Sequence, residues 1–190
     1  SVKKILDANR DVIVIVDEAY IDFGGESALS LIDEYDNLLV VRTFSKSRSM
    51  AGLRIGYAIG NEELIKALND VKYSYNSYTM NMAAIELGAA VLEDKEYFDT
   101  TVAKIVDTRE AAKIRLKELG FTFPDSKTNF IFAKPSKITA KQMFEELKKR
   151  NIYVRYFTGE RVKEHLRITI GTDEEMERFF EAVEEIQGEI

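Results

Sequence analysis

The stretch VVRTFSKSRSMAGLRIGYAIG, residues 40–60, decides how the chain is read. An apolar run, 38–41, ends in Thr43, Ser45 and Lys46, and Arg54 stands at the entry to a second run, 55–59. Upstream, VIVIV at 12–16 is continuous and β-branched, and it ends on Asp17. Such runs read as strands buried on both faces, the pattern of an α/β sheet. In an open α/β sheet, ligands sit beyond the carboxyl ends of the strands. If 12–16 and 38–41 are parallel neighbours, Asp17 and Lys46 face one crevice, and Arg54 returns toward it.

The residue types at that crevice suit a particular kind of ligand. Thr43 and Ser45 offer hydroxyl donors and Arg54 a bidentate guanidinium, a set that fits a phosphate. A desolvated lysine near another cation has a lowered pKa and becomes an amine suited to Schiff-base formation. The Asp17 carboxylate can hold a cationic ring nitrogen. Tyr20, three residues further on, can donate to a phenolic oxygen. Phosphate, aldehyde-reactive amine and pyridinium partner are the three demands of pyridoxal 5'-phosphate.

Composition narrows the alternatives. The 190 residues are 45% hydrophobic and 32% charged, ordinary for a chain that buries a core. A net charge of −6 argues against a broad nucleic-acid or anionic-membrane footprint, so an anion site must be a local basic pocket. With no cysteine and a single histidine, His165, disulfides, thiol catalysis and Cys- or His-rich metal sites fall away, and no metal is expected. No run reaches transmembrane length and no signal peptide opens the chain, so the expected location is the cytoplasm. The opening SVKKILDANRD runs almost directly into a core strand, which suggests a piece of a longer chain.

Along the chain, helical periodicity fits 62–71 after the cap candidate Asn61. MNMAAIELGAAVLED reads as a buried helix. An amphipathic helix over 95–119 ends at Gly120. Strands are expected at 129–133, 152–156 and 165–170, with helices at 140–150 and 173–186, the latter capped by Thr172. Residues 1–105 thus form an α/β unit with buried strands. Residues 106–190 form a smaller α+β unit with half-exposed strands.

D-E-A-Y at 17–20 followed by T-F-S-K-x-x-x-x-A-G-L-R-I-G-Y at 43–57 resembles the fold-type-I aminotransferases. VDEAYIDF and HLRITIGT are most similar to the histidinol-phosphate aminotransferases among them. The resemblance implies an α/β, aspartate-aminotransferase-like, pyridoxal-phosphate-dependent transferase fold. Residues 1–105 would be the C-terminal part of a large cofactor domain and 106–190 the small C-terminal domain. It implies that Lys46 carries the cofactor and shuttles the proton. Asp17 keeps the pyridine nitrogen protonated and Tyr20 bonds the ring oxygen. Ser45, Arg54 and, more weakly, Thr43 hold the phosphate. Arg167 clamps the substrate α-carboxylate and Arg155 reaches its distal phosphate. The implied reaction converts histidinol phosphate and 2-oxoglutarate to imidazole-acetol phosphate and glutamate, in histidine biosynthesis, by a cytoplasmic homodimer acting on small molecules. Alternatives are a threonine-phosphate decarboxylase, an aromatic-amino-acid aminotransferase, or a folded truncation without catalysis.

The chain departs from the family's pattern in places. Ser47, Arg48 and Ser49 follow the lysine where glycine is frequent, and Ser74 in SYNSY replaces a proline. The resemblance matches the second half of that family, so the half that brings further cofactor contacts is expected to lie outside these residues. Arg48 reads as a surface residue or a second anion contact, and His165 as a half-exposed strand residue. Tyr73, Tyr75 and Tyr78 read as an interface or a core cluster.

Overall fold

Three strands build the first sheet: β1 (Val14–Asp17), β2 (Leu38–Thr43) and β3 (Gly56–Gly60), in that order. β1 runs parallel to β2, with Asp17 opposite Val41, and β3 returns antiparallel, with Gly56 opposite Thr43. The ends of β1 and β2 and the start of β3 therefore lie at one end of the sheet, as the parallel-neighbour expectation requires. The computed structural model describes residues 1–189, in two units that divide between Asp99 and Thr100.

β1 corrects the expectation of a strand buried on both faces. Val14 and Val16 pack with Leu38, Val40 and Leu6 of α1 (Val2–Ala8), while Ile13 and Ile15 are 54% and 62% exposed. The reason is layering: α1 and the 3₁₀ turns at Ala28–Glu34 cover one face, and no element of this unit covers Ile13 and Ile15.

α2 (Glu62–Tyr75) starts at Asn61, whose side chain accepts the Glu63 N–H at 2.8 Å. Tyr75 and Tyr78 are 91% and 94% exposed, so the tyrosines form no core cluster. α3 (Met82–Glu93) also differs from the expected buried helix, since only Ala84 and Gly88 are buried. Its contact is a narrow stripe. A Cβ at Gly88 would come within 2.9 Å of Ile55 Cδ1, so the helix approaches closely there and leaves Met82, Ile85, Leu87 and Leu92 bare.

α4 (Lys95–Glu118) carries the division between the units. It ends in a Schellman motif: Gly120 takes φ 81°, Phe121 N–H donates to Leu116 O and Gly120 N–H to Lys117 O. In the second unit β4 (Phe130–Ala133), β6 (Leu166–Thr169) and β5 (Arg155–Tyr156) form an antiparallel sheet in that spatial order. The strand expected at 152–156 shrinks to two residues, because Ile152 and Val154 pack on the core instead of extending the ladder. One sheet face, with Ile131, Ala133, Leu166 and Ile168, packs into a core with α5 (Ala140–Lys149) and α6 (Asp173–Gly188). Both helices open on capping boxes, Thr139 with Gln142 and Thr172 with Glu175, each worth about 1 kcal/mol. The other face carries Phe130, Phe132, Arg155 and Arg167. No helix among the described residues is long and apolar enough to cross a membrane.

Candidate active site

At the end of β1 the chain splits its two acids. Asp17 is exposed, and its Oδ1 accepts the Ala19 N–H at 3.0 Å, which bends the backbone into a turn. Glu18 points inward, with its side chain 3% exposed. It accepts from Ser27 Oγ, from the Ala28 N–H at 2.6 Å, and from Arg42 Nε and Nη2 at 3.0 and 2.8 Å. Arg42 Nη2 also donates to Ser27 Oγ at 2.9 Å. Burial works against the Arg42 charge, but its interactions with Glu18 and the Tyr57 hydroxyl outweigh it and raise the guanidinium pKa. Glu18 and Arg42 were missed as site residues. The signal was available: adjacent acids at a strand end face opposite ways, so one of them must find an internal partner.

At the last residue of β2, the Thr43 hydroxyl is occupied in shaping the turn. Its single proton is shared between Ser45 Oγ at 2.9 Å and Ile55 O at 3.2 Å, and its oxygen accepts the Ser45 N–H at 3.0 Å. Ser45 Oγ accepts from Thr43, which leaves its own proton for an outside acceptor. Lys46 is exposed, and its amine makes no hydrogen bond or ion pair among the described residues. Its Nζ stands 5.4 Å from the Tyr20 ring centroid. Arg54 is not within β3. It closes the 3₁₀ turn Ala51–Leu53 in the left-handed conformation, φ 56° and ψ 37°, with Nη1 on Ala51 O at 2.9 Å and its other donors uncommitted among the described residues. A non-glycine residue there is strained, and such strain gathers at functional sites. The Phe44 N–H bond to Ile55 O ties the turns that carry Lys46 and Arg54 together. Asp17, Ser45, Lys46 and Arg54 thus share one end of the sheet, with Tyr20 beside the amine.

Arg155 and Arg167 belong to the second unit, where they are direct cross-strand partners, and Phe132 is Arg167's partner on the other side. The Arg167 guanidinium lies 5.4 Å from the Phe130 ring centroid and that of Arg155 lies 5.5 Å from Phe157. Arg167 Nε is buried without a hydrogen-bond partner, and neither arginine has an acidic partner among the described residues. His165 lies just outside β6 and stacks on Phe132 at 4.6 Å. Arg48 is not a surface residue: it is half-buried, donates to Val91 O at 3.1 Å and lies 4.1 Å from the Phe98 centroid.

A model of the family described as aminotransferase class I and II matches residues 1–183. A histidinol-phosphate aminotransferase of Brachyspira hyodysenteriae is 53% identical over 97% of this chain and 52% of its own length. The solved histidinol-phosphate aminotransferase of Clostridium acetobutylicum superposes on 99% of this chain and 58% of its own, with TM-score 0.85 and 25% identity. An L-threonine-O-3-phosphate decarboxylase of Porphyromonas gingivalis shares the fold, with TM-score 0.81 over 98% of this chain and 58% of its own at 24% identity. The chain spans about half the length of the curated relatives it matches.

Proposed function

This chain belongs to the class I and II aminotransferases, and from that premise we propose that the whole protein moves an amino group between histidinol phosphate and 2-oxoglutarate. The products would be imidazole-acetol phosphate and glutamate, a step of histidine biosynthesis. The cofactor is pyridoxal 5'-phosphate. When bound, it supplies the carbonyl that carries the amino group and a ring that accepts electrons from the α-carbon.

The donor set fits that group. Lys46 brings an amine with no competing partner, and Tyr20 stands beside it. Asp17 offers a carboxylate at the same sheet end. Ser45 keeps a hydroxyl proton free, and Arg54 keeps donors free, for the phosphate. Thr43 serves that phosphate less, because its hydroxyl already braces the turn. In this reading Lys46 would hold the cofactor and, once the substrate's amine has taken its place, would use its freed amine to move the proton at the substrate's α-carbon. Asp17 holds a proton on the ring nitrogen, and Tyr20 donates to the ring oxygen.

The unpaired Arg155 and Arg167 support the choice of substrates. Histidinol phosphate carries a phosphate and no carboxylate, whereas glutamate carries two carboxylates. In our assignment Arg167 clamps the α-carboxylate of glutamate and Arg155 reaches the phosphate of histidinol phosphate. We assign 1–105 to the large cofactor domain and 106–190 to the small domain. The reading extends to a cytoplasmic homodimer, for which the bare Tyr73, Tyr75 and Tyr78 are candidate contacts.

The observation that carries the proposal is the free Lys46 amine at the sheet end shared by Asp17, Ser45 and Arg54. Its test is pyridoxal phosphate added to the chain and to Lys46→Ala, with the visible absorbance recorded and the adduct fixed by borohydride. A lysine-dependent band with the label on residue 46 is the expected result. A label spread over surface lysines and insensitive to Lys46→Ala would overturn it. Release of carbon dioxide from threonine phosphate, without transamination of histidinol phosphate, would favour the decarboxylase.

A further inference from the structure

The Lys46 amine makes no hydrogen bond or ion pair among the described residues, yet the turn beneath it is pinned on both flanks. Ser49 N–H donates to Lys46 O and Met50 N–H to Phe44 O, so residues 46–49 form a closed turn with Ser47 and Arg48 at its centre. Ser47 is buried, and its hydroxyl donates to the Asp22 carboxylate, in the 3₁₀ turn two residues past Tyr20. Arg48 goes the other way. It donates to Val91 O, a carbonyl in the last turn of α3 that lacks an in-helix partner, and its guanidinium lies over the Phe44 and Phe98 rings, 5.4 and 4.1 Å from their centroids.

Such anchoring answers a definite need. Lysine has four rotatable bonds, and a free amine on a free loop would sample a wide volume. Two central side chains tied in opposite directions fix the turn's position and its tilt, and with them the direction in which Lys46 leaves the backbone. We infer that Ser47 and Arg48 are positioning residues, which aim the Lys46 amine at the face of Tyr20. Ser47 ties the turn to the segment that carries Tyr20, and Arg48 ties it to α3. The inference rests on the reading of Lys46 as the reactive amine, but it is tested without the cofactor.

A lysine held over an aromatic ring has ring-current-shifted ε-methylene resonances. In the chain labelled with ¹³C-lysine, the Lys46 signal is identified by its loss in Lys46→Ala, and the source of the shift by its loss in Tyr20→Leu. The displacement should shrink toward the free-lysine position in Ser47→Ala and in Arg48→Ala, and Arg48→Lys, which keeps a cation for the Val91 carbonyl, should restore part of it. Should Arg48→Ala not fold, Arg48→Gln and Ser47→Ala carry the same reading. An undisplaced Lys46 signal in the wild type, or a displacement unchanged in folded Ser47 and Arg48 variants, overturns the inference. Pyridoxal phosphate titrated into the same proteins separates the two claims. A displaced Lys46 that takes no cofactor sinks the cofactor assignment and leaves the positioning intact.

Discussion

Arg155 and Arg167 stand directly opposite each other across β5 and β6, and no carboxylate among the described residues lies between them. Like charges in that register repel and are destabilising. An anion bound between them relieves the repulsion and binds more strongly for it. Arg155→Gln should therefore melt slightly higher than the wild type at low salt. Inorganic phosphate should raise the wild-type melting temperature and leave the variant nearly unmoved, because a ligand that binds only the folded state stabilises it by mass action. Equal phosphate responses would count against a shared anion site.

Ser49 and Arg54 both hold φ 56° without being glycine. Ser49→Gly should relieve its strain and raise stability by about 0.5–1 kcal/mol in urea unfolding, with cofactor binding retained. Arg54→Gly should gain similarly in stability and lose affinity for pyridoxal phosphate. If both substitutions leave cofactor affinity alone, Arg54 does not serve the phosphate.

Glu18 and Arg42 form a pair with side chains 3% and 20% exposed. Glu18→Gln leaves the guanidinium facing a neutral amide. That should cost about 2–3 kcal/mol, read as a lower urea midpoint with an unchanged slope. A loss under half a kcal/mol, in the range of an ordinary surface change, would show that the buried pair contributes no more than a surface contact.

In the second unit, Lys113 Nζ donates to Glu110 at 2.8 Å and to Asp125 at 2.7 Å. The hydrogen bond from Lys113 is the leading cause that depresses both carboxyl pKa values. A depressed folded-state pKa contributes stability that is complete above the unfolded value, near pH ~4, and is lost as pH falls through the folded value. Unfolding midpoints followed downward from pH ~5 should fall steeply in the wild type and less steeply in Lys113→Met. Parallel slopes would place the acid sensitivity elsewhere.

The sheet end was legible because its signals are local and of different kinds. VIVIV and the run at 38–41 mark the strands, and Asp17, Ser45, Lys46 and Arg54 punctuate their ends. The parallel pairing of β1 with β2 then brings the residues to one edge. What sequence reading missed were long-range partners. Glu18 meets Arg42 from 24 positions away and Arg48 meets Val91 from 43. Neither spacing leaves a periodic trace, so each looked like a turn acid and a surface base. α3 misled for another reason: a helix rich in Met, Ile, Leu and Ala reads as buried, whereas only the small residues Ala84 and Gly88 are buried. Ser49, three residues after Lys46, occupies the left-handed conformation that glycine favours, a backbone requirement that the serine does not advertise.

Among the described residues β1 pairs only with β2, so its other edge keeps N–H and C=O groups outside any ladder, beside the bare Ile13 and Ile15. Such an edge is a template for another strand. Opposing it is the net charge of −6, which repels copies of the chain over a distance set by the ionic strength. The two terms respond oppositely to salt: added salt screens the repulsion and leaves strand pairing and apolar burial untouched. Colloidal stability is therefore a property of the buffer as much as of the fold. Light scattering should show the chain dispersed in dilute buffer and associating as salt rises, and a lysine in place of Ile15 should delay that onset.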